Sequence, residues 1–484
     1  MKIAKYFTFY HTDMLLGRNH DVEGITDNSK EVRNNFVFVA ITGYHHKGVD
    51  YIAEAIKNGA KTIFYDEDID ISNSNVNMVK VLSAKVELAR LLRWYYRKNK
   101  KPKIIAVTGT NGKTSVTTYT FWLLKSLHIN CLLIGTEENI SYFNGRLRYI
   151  KTSNTTPALT TIYKLMGEFP YDYLVMEASS QGIEESRVLG LSFDVVCFTN
   201  ITEDHLDYHK TMDNYANAKS RLIYQLKDCG TLILNQDMAY FEQLQKLTLH
   251  QIYTYSSTSD KAFIYGKILE RKLGKMKVEI NCRNEKHNFY TKILGDFNLD
   301  NLLATYAIIK ALKIKTINLD SYFTMLKVVK GRMNLFLLNH IFVVIDFAHT
   351  PDGILKVLSY FKMVKKAKLI SVLGCGGNRD PQKRPIMAKI ATNYSDMVIF
   401  TEDNSRDEKL ENIISDMIKG VEGKNYLIEK DRKHAIDKAL DFATTDDIVC
   451  ILGKGSENAI IERKIKYFSD LEYIVNLGGK RLNG

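Results

Sequence analysis

The segment Ile104-Ile105-Ala106-Val107-Thr108-Gly109-Thr110-Asn111-Gly112-Lys113-Thr114 sets two glycines, a lysine and a threonine directly after an apolar run. Glycines at a strand-to-helix turn let backbone N–H groups close on phosphate oxygens, and the helix N-terminus adds partial positive charge. Lys113 can reach terminal phosphates and the Thr114 hydroxyl can hold Mg²⁺, so the loop reads as an ATP site formed by Gly109, Thr110, Asn111, Gly112, Lys113, Thr114 and Ser115. Only two residues separate Gly109 from Gly112, a tighter spacing than the common Walker A pattern and unsuited to a motor or switch GTPase. Two further polar groups follow apolar runs: Glu177 after Tyr173–Met176, and His205 just past Val195–Thr199. A carboxylate and an imidazole beside a triphosphate suit Mg²⁺ ligation, although Mg²⁺ prefers oxygen and keeps waters. Taken singly, Glu177 is equally a helix-capping carboxylate and His205 a hydrogen-bonded turn histidine.

These residues need strands to carry them. Ligands of open α/β sheets sit outside the carboxyl ends of strands. Residues 1–98 read as a small α/β unit, with strands at Phe36–Ala40 and Lys61–Tyr65 and a helix near Tyr51–Asn58. Residues 99–330 hold the phosphate loop, a helix from Ser115 to Leu127, and strand runs at Tyr173–Met176, Val195–Thr199 and Thr231–Leu234. Their alternation with helices predicts a largely parallel wound sheet. Residues 331–484 repeat the alternation at Phe342–Ile345, Leu369–Leu373, Met397–Thr401 and Ile448–Leu452, as in a dinucleotide-type fold. The expectation is three α/β domains.

Composition narrows the class. A chain of 484 residues with 45% hydrophobic residues supports several cores and is not disordered. Neither an apolar signal core nor a membrane-length apolar run occurs, so a cytoplasmic protein without membrane insertion is expected. The six cysteines form no Cys-x-x-Cys pair, and Cys197 and Cys450 lie in apolar runs, which predicts buried reduced thiols. The net charge of +12 comes from lysines interleaved with acids, a solvated surface that attracts phosphorylated substrates rather than nucleic acid.

Several long motifs recur in order. They are Thr108–Thr114, Thr155-Thr156-Pro157, Glu177-Ala178-Ser179-Ser180, Thr199–His209, Tyr215-Ala216-Asn217-Ala218-Lys219, Gly295–Asn301, Asp346-Phe347-Ala348-His349-Thr350-Pro351 and Gly374–Met387. With them the chain resembles the Mur ligases end to end, and its Gly-Cys-Gly-Gly-Asn-Arg-Asp block resembles the tripeptide-synthetase branch. The resemblance implies a monomeric, ATP-dependent, amide-forming ligase of peptidoglycan precursor synthesis. Its fold would be the three-domain Mur architecture: a UDP-sugar-binding N-terminal domain, a P-loop central domain and a dinucleotide-fold-like C-terminal domain that binds an amino acid. An acyl phosphate made from the nucleotide-sugar dipeptide would be attacked by an amino acid's amine.

Carried over by position, the resemblance makes Thr114, Glu177 and His205 metal ligands and Lys219 a carbamylated lysine that adds a carboxylate for Mg²⁺. Asn298 and Asn301 become adenine-side residues, and Lys113, Lys219, Asp346 and His349 catalytic ones. UDP-N-acetylmuramoyl-L-alanyl-D-glutamate would be held by Ser29, Asn154, Thr155, Thr156, Ser179 and Arg187. Asn28, Lys30 and Glu185 depart from the family's pattern. The amino acid would meet Arg379, Asp403, Asn404, Arg406, Gly453 and Glu457. Arginine pairs bidentately with a carboxylate, which favours meso-diaminopimelate over L-lysine. Ser405 replaces the usual proline and Ser456 the usual histidine, and loss of the proline predicts a freer loop. Alternatives are a Mur-type ligase adding L-lysine or another amino acid, a folylpolyglutamate synthase, and a non-catalytic paralogue that binds a nucleotide sugar. The N-terminal unit argues against the second, and the intact Lys113, Glu177, His205 and Lys219 against the third.

Overall fold

A computed structural model describes residues 1–11, 17–43, 46–69, 75–97, 100–151, 154–283, 285–315, 318–462 and 464–484. The chain divides into two compact units, one of residues 1–105, 129–194 and 224–227, the other of residues 106–128, 195–223 and 228–484.

The first unit begins with a parallel four-stranded sheet in the order Gly24–Thr26, Phe36–Ala40, Ala60–Tyr65, Asn77–Lys80. Phe38, Ala40, Ile52, Ala55 and Ile63 fill its core. The helix Ala84–Tyr95 starts where the Ser83 side chain accepts the Val86 N–H, an N-cap that satisfies a donor the helix leaves open. The same unit pairs Cys131–Ile134 in parallel with Tyr173–Glu177. The two strands that follow, Asn139–Phe143 and Arg146–Ile150, run antiparallel.

In the second unit the end of the strand Lys103–Thr108 feeds the phosphate loop and the helix Lys113–Ser126. The Thr199 N–H donates to the Thr108 carbonyl at 2.9 Å, placing the segment after Phe193–Phe198 beside that loop. Leu226–Asn235, Gln251–Ser256 and Ile264–Lys272 pair in parallel. Lys275–Cys282 and Glu285–Thr291 then add antiparallel ladders, so the expected parallel winding holds only in part. Such ladders are joined by short turns and need no helix between strands, so the strand–helix alternation that marks parallel units does not show them. The unit also contains a seven-stranded sheet whose middle strands, Met397–Phe400, Leu369–Leu373, Ile448–Leu452 and Ile341–Asp346, are parallel. Asn334–Leu338 and Lys480–Arg481 close one edge antiparallel. Ile448–Leu452 is buried throughout, as expected of a strand covered on both faces.

Expected strands and helices lie where the periodicity put them, with ends shifted by a few residues; the phosphate-loop helix starts at Lys113 rather than Ser115. All six cysteines are free thiols, and Cys229 is exposed, unlike the other five. Among the described residues no helix is long and apolar enough to cross a membrane.

Candidate active site

The phosphate loop is held from both sides of the backbone. Asn200 Oδ1 accepts the Asn111 N–H at 2.9 Å, while Asn200 Nδ2 and Thr199 Oγ1 donate to the Asn111 carbonyl at 3.0 and 2.6 Å. Thr110 Oγ1 donates to the Thr202 carbonyl at 3.0 Å and lies 3.2 Å from the Tyr215 hydroxyl. Thr199 and Asn200 lie within a motif visible in the sequence, but their role as the loop's brace is not. Gly112 sits at φ +87°, and a Cβ there would stand 2.4 Å from Asn301 Oδ1. A side chain at that point would meet both backbone strain and a clash. Asn301 donates to Asn298 Oδ1 at 2.7 Å, and Asn298 donates to the Leu294 carbonyl at 2.6 Å, so this buried asparagine pair is fixed against the loop.

Lys113 Nζ donates to the Gly109 and Thr110 carbonyls at 2.8 Å each. Lys219 Nζ also donates to the Gly109 carbonyl, at 2.9 Å, and lies 4.5 Å from the centre of the Tyr215 ring. Lys219 is buried, and desolvation with the neighbouring Lys113 charge pulls its pKa well below the usual lysine range. The neutral amine so favoured is the form that attacks carbon dioxide. His205 has an exposed edge, yet partial burial together with Lys113, Lys219 and Arg379 brings its pKa down to about 4, against the pull of Asp204. It is therefore a neutral imidazole at physiological pH, the form that binds metal. Thr114 and Ser115 open the helix behind the loop and are buried.

Asp346 ends its strand and is buried. Its two oxygens accept the Met333 and Ala348 N–H groups at 2.7 and 2.8 Å. Burial raises its pKa. Both oxygens are thus committed to backbone, and the carboxylate organises the turn that carries His349. His349 Nδ1–H donates to the Phe347 carbonyl at 2.8 Å, which makes Nε2 the acceptor nitrogen of the neutral ring, and burial lowers the pKa of the ring. Thr350 caps the following helix through the Gly353 N–H at 3.1 Å, with Pro351 in the first turn. Asn111 Nδ2 reaches that helix, donating to Asp352 Oδ2 at 3.2 Å.

A cavity of about 130 Å³ in the second unit is lined by His205, Asp204, His349, Lys383, Arg379, Asp403, Asn404, Arg406, Gly453 and Glu457. Every residue expected at the amino-acid site is in its wall. The two arginines flank Gly376, whose Cβ would lie 3.1 Å from an Arg406 guanidinium nitrogen and 3.8 Å from Arg379 Cγ. Burial and the Arg379 charge depress the Arg406 pKa. Arg406 has φ +53°; its N–H donates to the Ile461 carbonyl at 2.8 Å and its guanidinium to the Gly377 carbonyl at 2.6 Å. The loop carrying Ser405 is therefore tied down on two sides. Gly377 makes this possible, since a Cβ there would stand 1.9 Å from the Ser405 carbonyl. Gly453, at φ +109°, leaves room in the same way for Asp403 Oδ2, 2.6 Å from the position of a Cβ.

The remaining expected site residues belong to the first unit. Glu177 is buried, and Thr136 donates to both its oxygens, from N–H at 2.7 Å and from Oγ1 at 2.9 Å. Thr136 Oγ1 lies 3.0 Å from Thr155 Oγ1. Thr156 Oγ1 donates to the Glu177 carbonyl at 2.9 Å and accepts the Ser179 N–H at 3.0 Å. Ser179 Oγ caps the helix Ser180–Glu184 at the Gly182 N–H, 3.1 Å. Arg187 donates to the Thr156 carbonyl at 2.9 Å and pairs with Glu185, so the departure at Glu185 supplies the arginine with a counter-ion. Ser29 is buried and donates to Glu54; its departing neighbour Asn28 caps the short turn by accepting the Lys30 N–H at 3.1 Å. Thr160 and Asp27, 3.2 Å apart, tie this turn to the helix after Asn154-Thr155-Thr156. Among the described residues no three His, Cys, Asp or Glu side chains converge as a ready metal cage.

A braced phosphate loop, a buried lysine with a depressed pKa and a cavity lined by side chains of both charges suit an ATP-dependent ligase that joins an acid to an amine. The comparisons agree: residues 107–309 match the Mur ligase middle domain. Residues 331–455 match the Mur ligase glutamate ligase domain, and residues 21–96 the Mur ligase family catalytic domain. The chain is 36% identical over 467 residues to a UDP-N-acetylmuramoyl-L-alanyl-D-glutamate–2,6-diaminopimelate ligase of Clostridium tetani, covering 94% of each chain. It is also 36% identical over 474 residues to the enzyme of that name from Aquifex aeolicus, covering 95% of this chain and 94% of the other. A solved structure of a ligase of that name superposes with a TM-score of 0.68 at 28% identity over 95% of both chains. The chain belongs to the Mur ligase family.

Proposed function

We propose that this chain adds meso-diaminopimelate to UDP-N-acetylmuramoyl-L-alanyl-D-glutamate with consumption of ATP, in peptidoglycan precursor synthesis. The observation that carries the reading is the arrangement of Arg379 and Arg406 about Gly376 in a cavity that Asp403, Asn404 and Glu457 also line. The far end of diaminopimelate carries an ammonium and a carboxylate, so it needs acceptors and a cationic fork together. L-Lysine brings only a cation there, which two arginines repel. The relatives' names point the same way.

Residues 1–98 take the nucleotide through Ser29, residues 99–330 the ATP, and residues 331–484 the amino acid. Asn154, Thr155, Thr156, Ser179 and Arg187 hold the muramoyl-dipeptide, and Asn298 and Asn301 the adenine. Lys113 neutralises charge on the transferring phosphate as the dipeptide's terminal carboxylate attacks it. Thr114, Glu177, His205 and a carbamate on Lys219 would hold Mg²⁺, which supplies further charge neutralisation when bound. The acyl phosphate is then attacked by the amine of diaminopimelate, and the amide forms with release of ADP and phosphate. His349 Nε2 lies at the cavity as a proton acceptor, with Asp346 setting its turn. The test is ADP release with the nucleotide dipeptide and a panel of amino acids. Turnover is expected with meso-diaminopimelate, and a preference for L-lysine or L-ornithine overturns the assignment of the amino acid.

A further inference from the structure

Lys454 follows the strand Ile448–Leu452 and is wholly buried. A buried ammonium needs partners for its three N–H donors, and all three are present. Nζ donates to Glu457 Oε2 at 2.9 Å, to Asn404 Oδ1 at 3.2 Å and to the Ala459 carbonyl at 2.7 Å. Two of these partners are side chains assigned above to the amino acid. Asn404 Nδ2 donates to the same Glu457 oxygen at 2.7 Å. Asn404 Oδ1 also accepts the Ile461 N–H at 2.8 Å, and the Ile461 carbonyl accepts the Arg406 N–H at 2.8 Å. The lysine thus stands at the centre of a network that reaches Glu457, Asn404 and, through Ile461, the backbone of Arg406.

Glu457 shows what the network achieves. Its Oε2 is held by two donors from behind, its Oε1 has no hydrogen bond among the described residues, and the side chain remains 37% exposed in the cavity wall. An acceptor fixed beforehand loses little freedom when a cation arrives, so the contact is stronger than one made by a mobile carboxylate. We propose that Lys454 is a positioning residue for amino-acid selection: it clamps Glu457 and Asn404 so that the second Glu457 oxygen is presented to an ammonium group of the incoming amino acid. This deepens the proposed function and rests on it.

The experiment compares the full chain with Lys454→Met, close in length and uncharged, and Lys454→Gln, which keeps a donor. In both, KM for meso-diaminopimelate is expected to rise about ten- to a hundredfold, the range for loss of a charge-assisted contact. KM for ATP should stay within about twofold of wild type. Because much of the effect of Lys454 passes through Glu457, the double variant Lys454→Met with Glu457→Gln should lose far less than the product of the two single losses. A general loosening of the domain would instead raise KM for ATP in parallel or multiply the two single losses, and either result overturns the positioning role. Unchanged KM for diaminopimelate in both variants also overturns it and leaves the proposed function standing. Failure of the wild-type chain to use diaminopimelate overturns the proposed function, and the positioning role with it.

Discussion

Lys219 is the residue whose chemistry depends most on its surroundings. Buried between the Gly109 carbonyl and the Tyr215 ring, with Lys113 close by, it is driven toward the neutral amine. Carbamate formation consumes a neutral amine and carbon dioxide and releases a proton. It is therefore favoured as pH rises through the depressed pKa of Lys219 and lost as pH falls below it. Activity is expected to drop on removal of bicarbonate, more so as pH is lowered, and to return when bicarbonate is added. Lys219→Ala should be nearly inactive and regain part of its rate with short carboxylic acids, which can replace the missing anion beside the metal. Full activity of Lys219→Ala without added acid would remove the carbamate from the scheme. At the same scale, Asp346 holds its loop by accepting one backbone N–H on each oxygen, from Met333 and Ala348.

At the scale of elements, the two ends of the reaction rest on loops that glycines allow to pack closely. An alanine at position 112 must adopt φ +87° and displace Asn301, at a strain cost of about 1–2 kcal/mol before the clash is counted. Gly112→Ala is expected to raise KM for ATP at least tenfold and to leave the diaminopimelate site unaffected. Gly377→Ala should do the reverse, since its methyl meets the Ser405 carbonyl and moves Arg406. Steady-state kinetics with each substrate varied in turn checks both, and equal effects on both substrates from either variant would contradict the separation.

The sequence made the strands legible wherever an apolar run was short and bounded, as at Leu369–Leu373 and Ile448–Leu452, because a strand buried on both faces needs little besides apolar side chains. It also showed which residues could bind phosphate, since Gly-x-x-Gly-Lys-Thr has few other uses. The antiparallel ladder Ile264–Thr291 was only partly legible: Met276, Val278, Ile280 and Cys282 alternate strictly with polar residues and are buried, but Ile264–Lys272 and Glu285–Thr291 mix Lys and Glu with apolar residues. The anchoring of the loop that carries Ser405 was hidden for a different reason. The loop is held by tertiary hydrogen bonds from Ile461 and Gly377, far away in sequence, which no local pattern reports. Lys454 stood inside a visible Gly-Lys-Gly motif, but only its burial and its three acceptors reveal its work.

For the whole molecule, the division of the chain into two units makes a prediction about which parts respond to which ligand. The phosphate loop, Lys219, Asn298, Asn301 and the amino-acid cavity all belong to the second unit, whereas Ser29, Thr155, Thr156, Glu177, Ser179 and Arg187 belong to the first. A ligand that binds only the folded form lowers the population of locally open states where it makes contact. A non-hydrolysable ATP analogue with Mg²⁺ should therefore slow amide hydrogen exchange in residues 109–115 and at the start of the helix Asp296–Ala311. The nucleotide dipeptide alone should slow exchange in residues 27–31 and 179–187. In Lys113→Ala the first pattern should weaken and the second persist, because Lys113 contributes charge toward phosphate while Asn200 and Thr199 keep the loop's backbone in place. Protection of residues 27–31 by the ATP analogue alone, with none in residues 109–115, would show that the nucleotide sites have been assigned to the wrong units. Were Lys113→Ala to lose both patterns together, the loop would be acting as a structural support shared by both sites, and the loss of activity in that variant could not be credited to the missing charge.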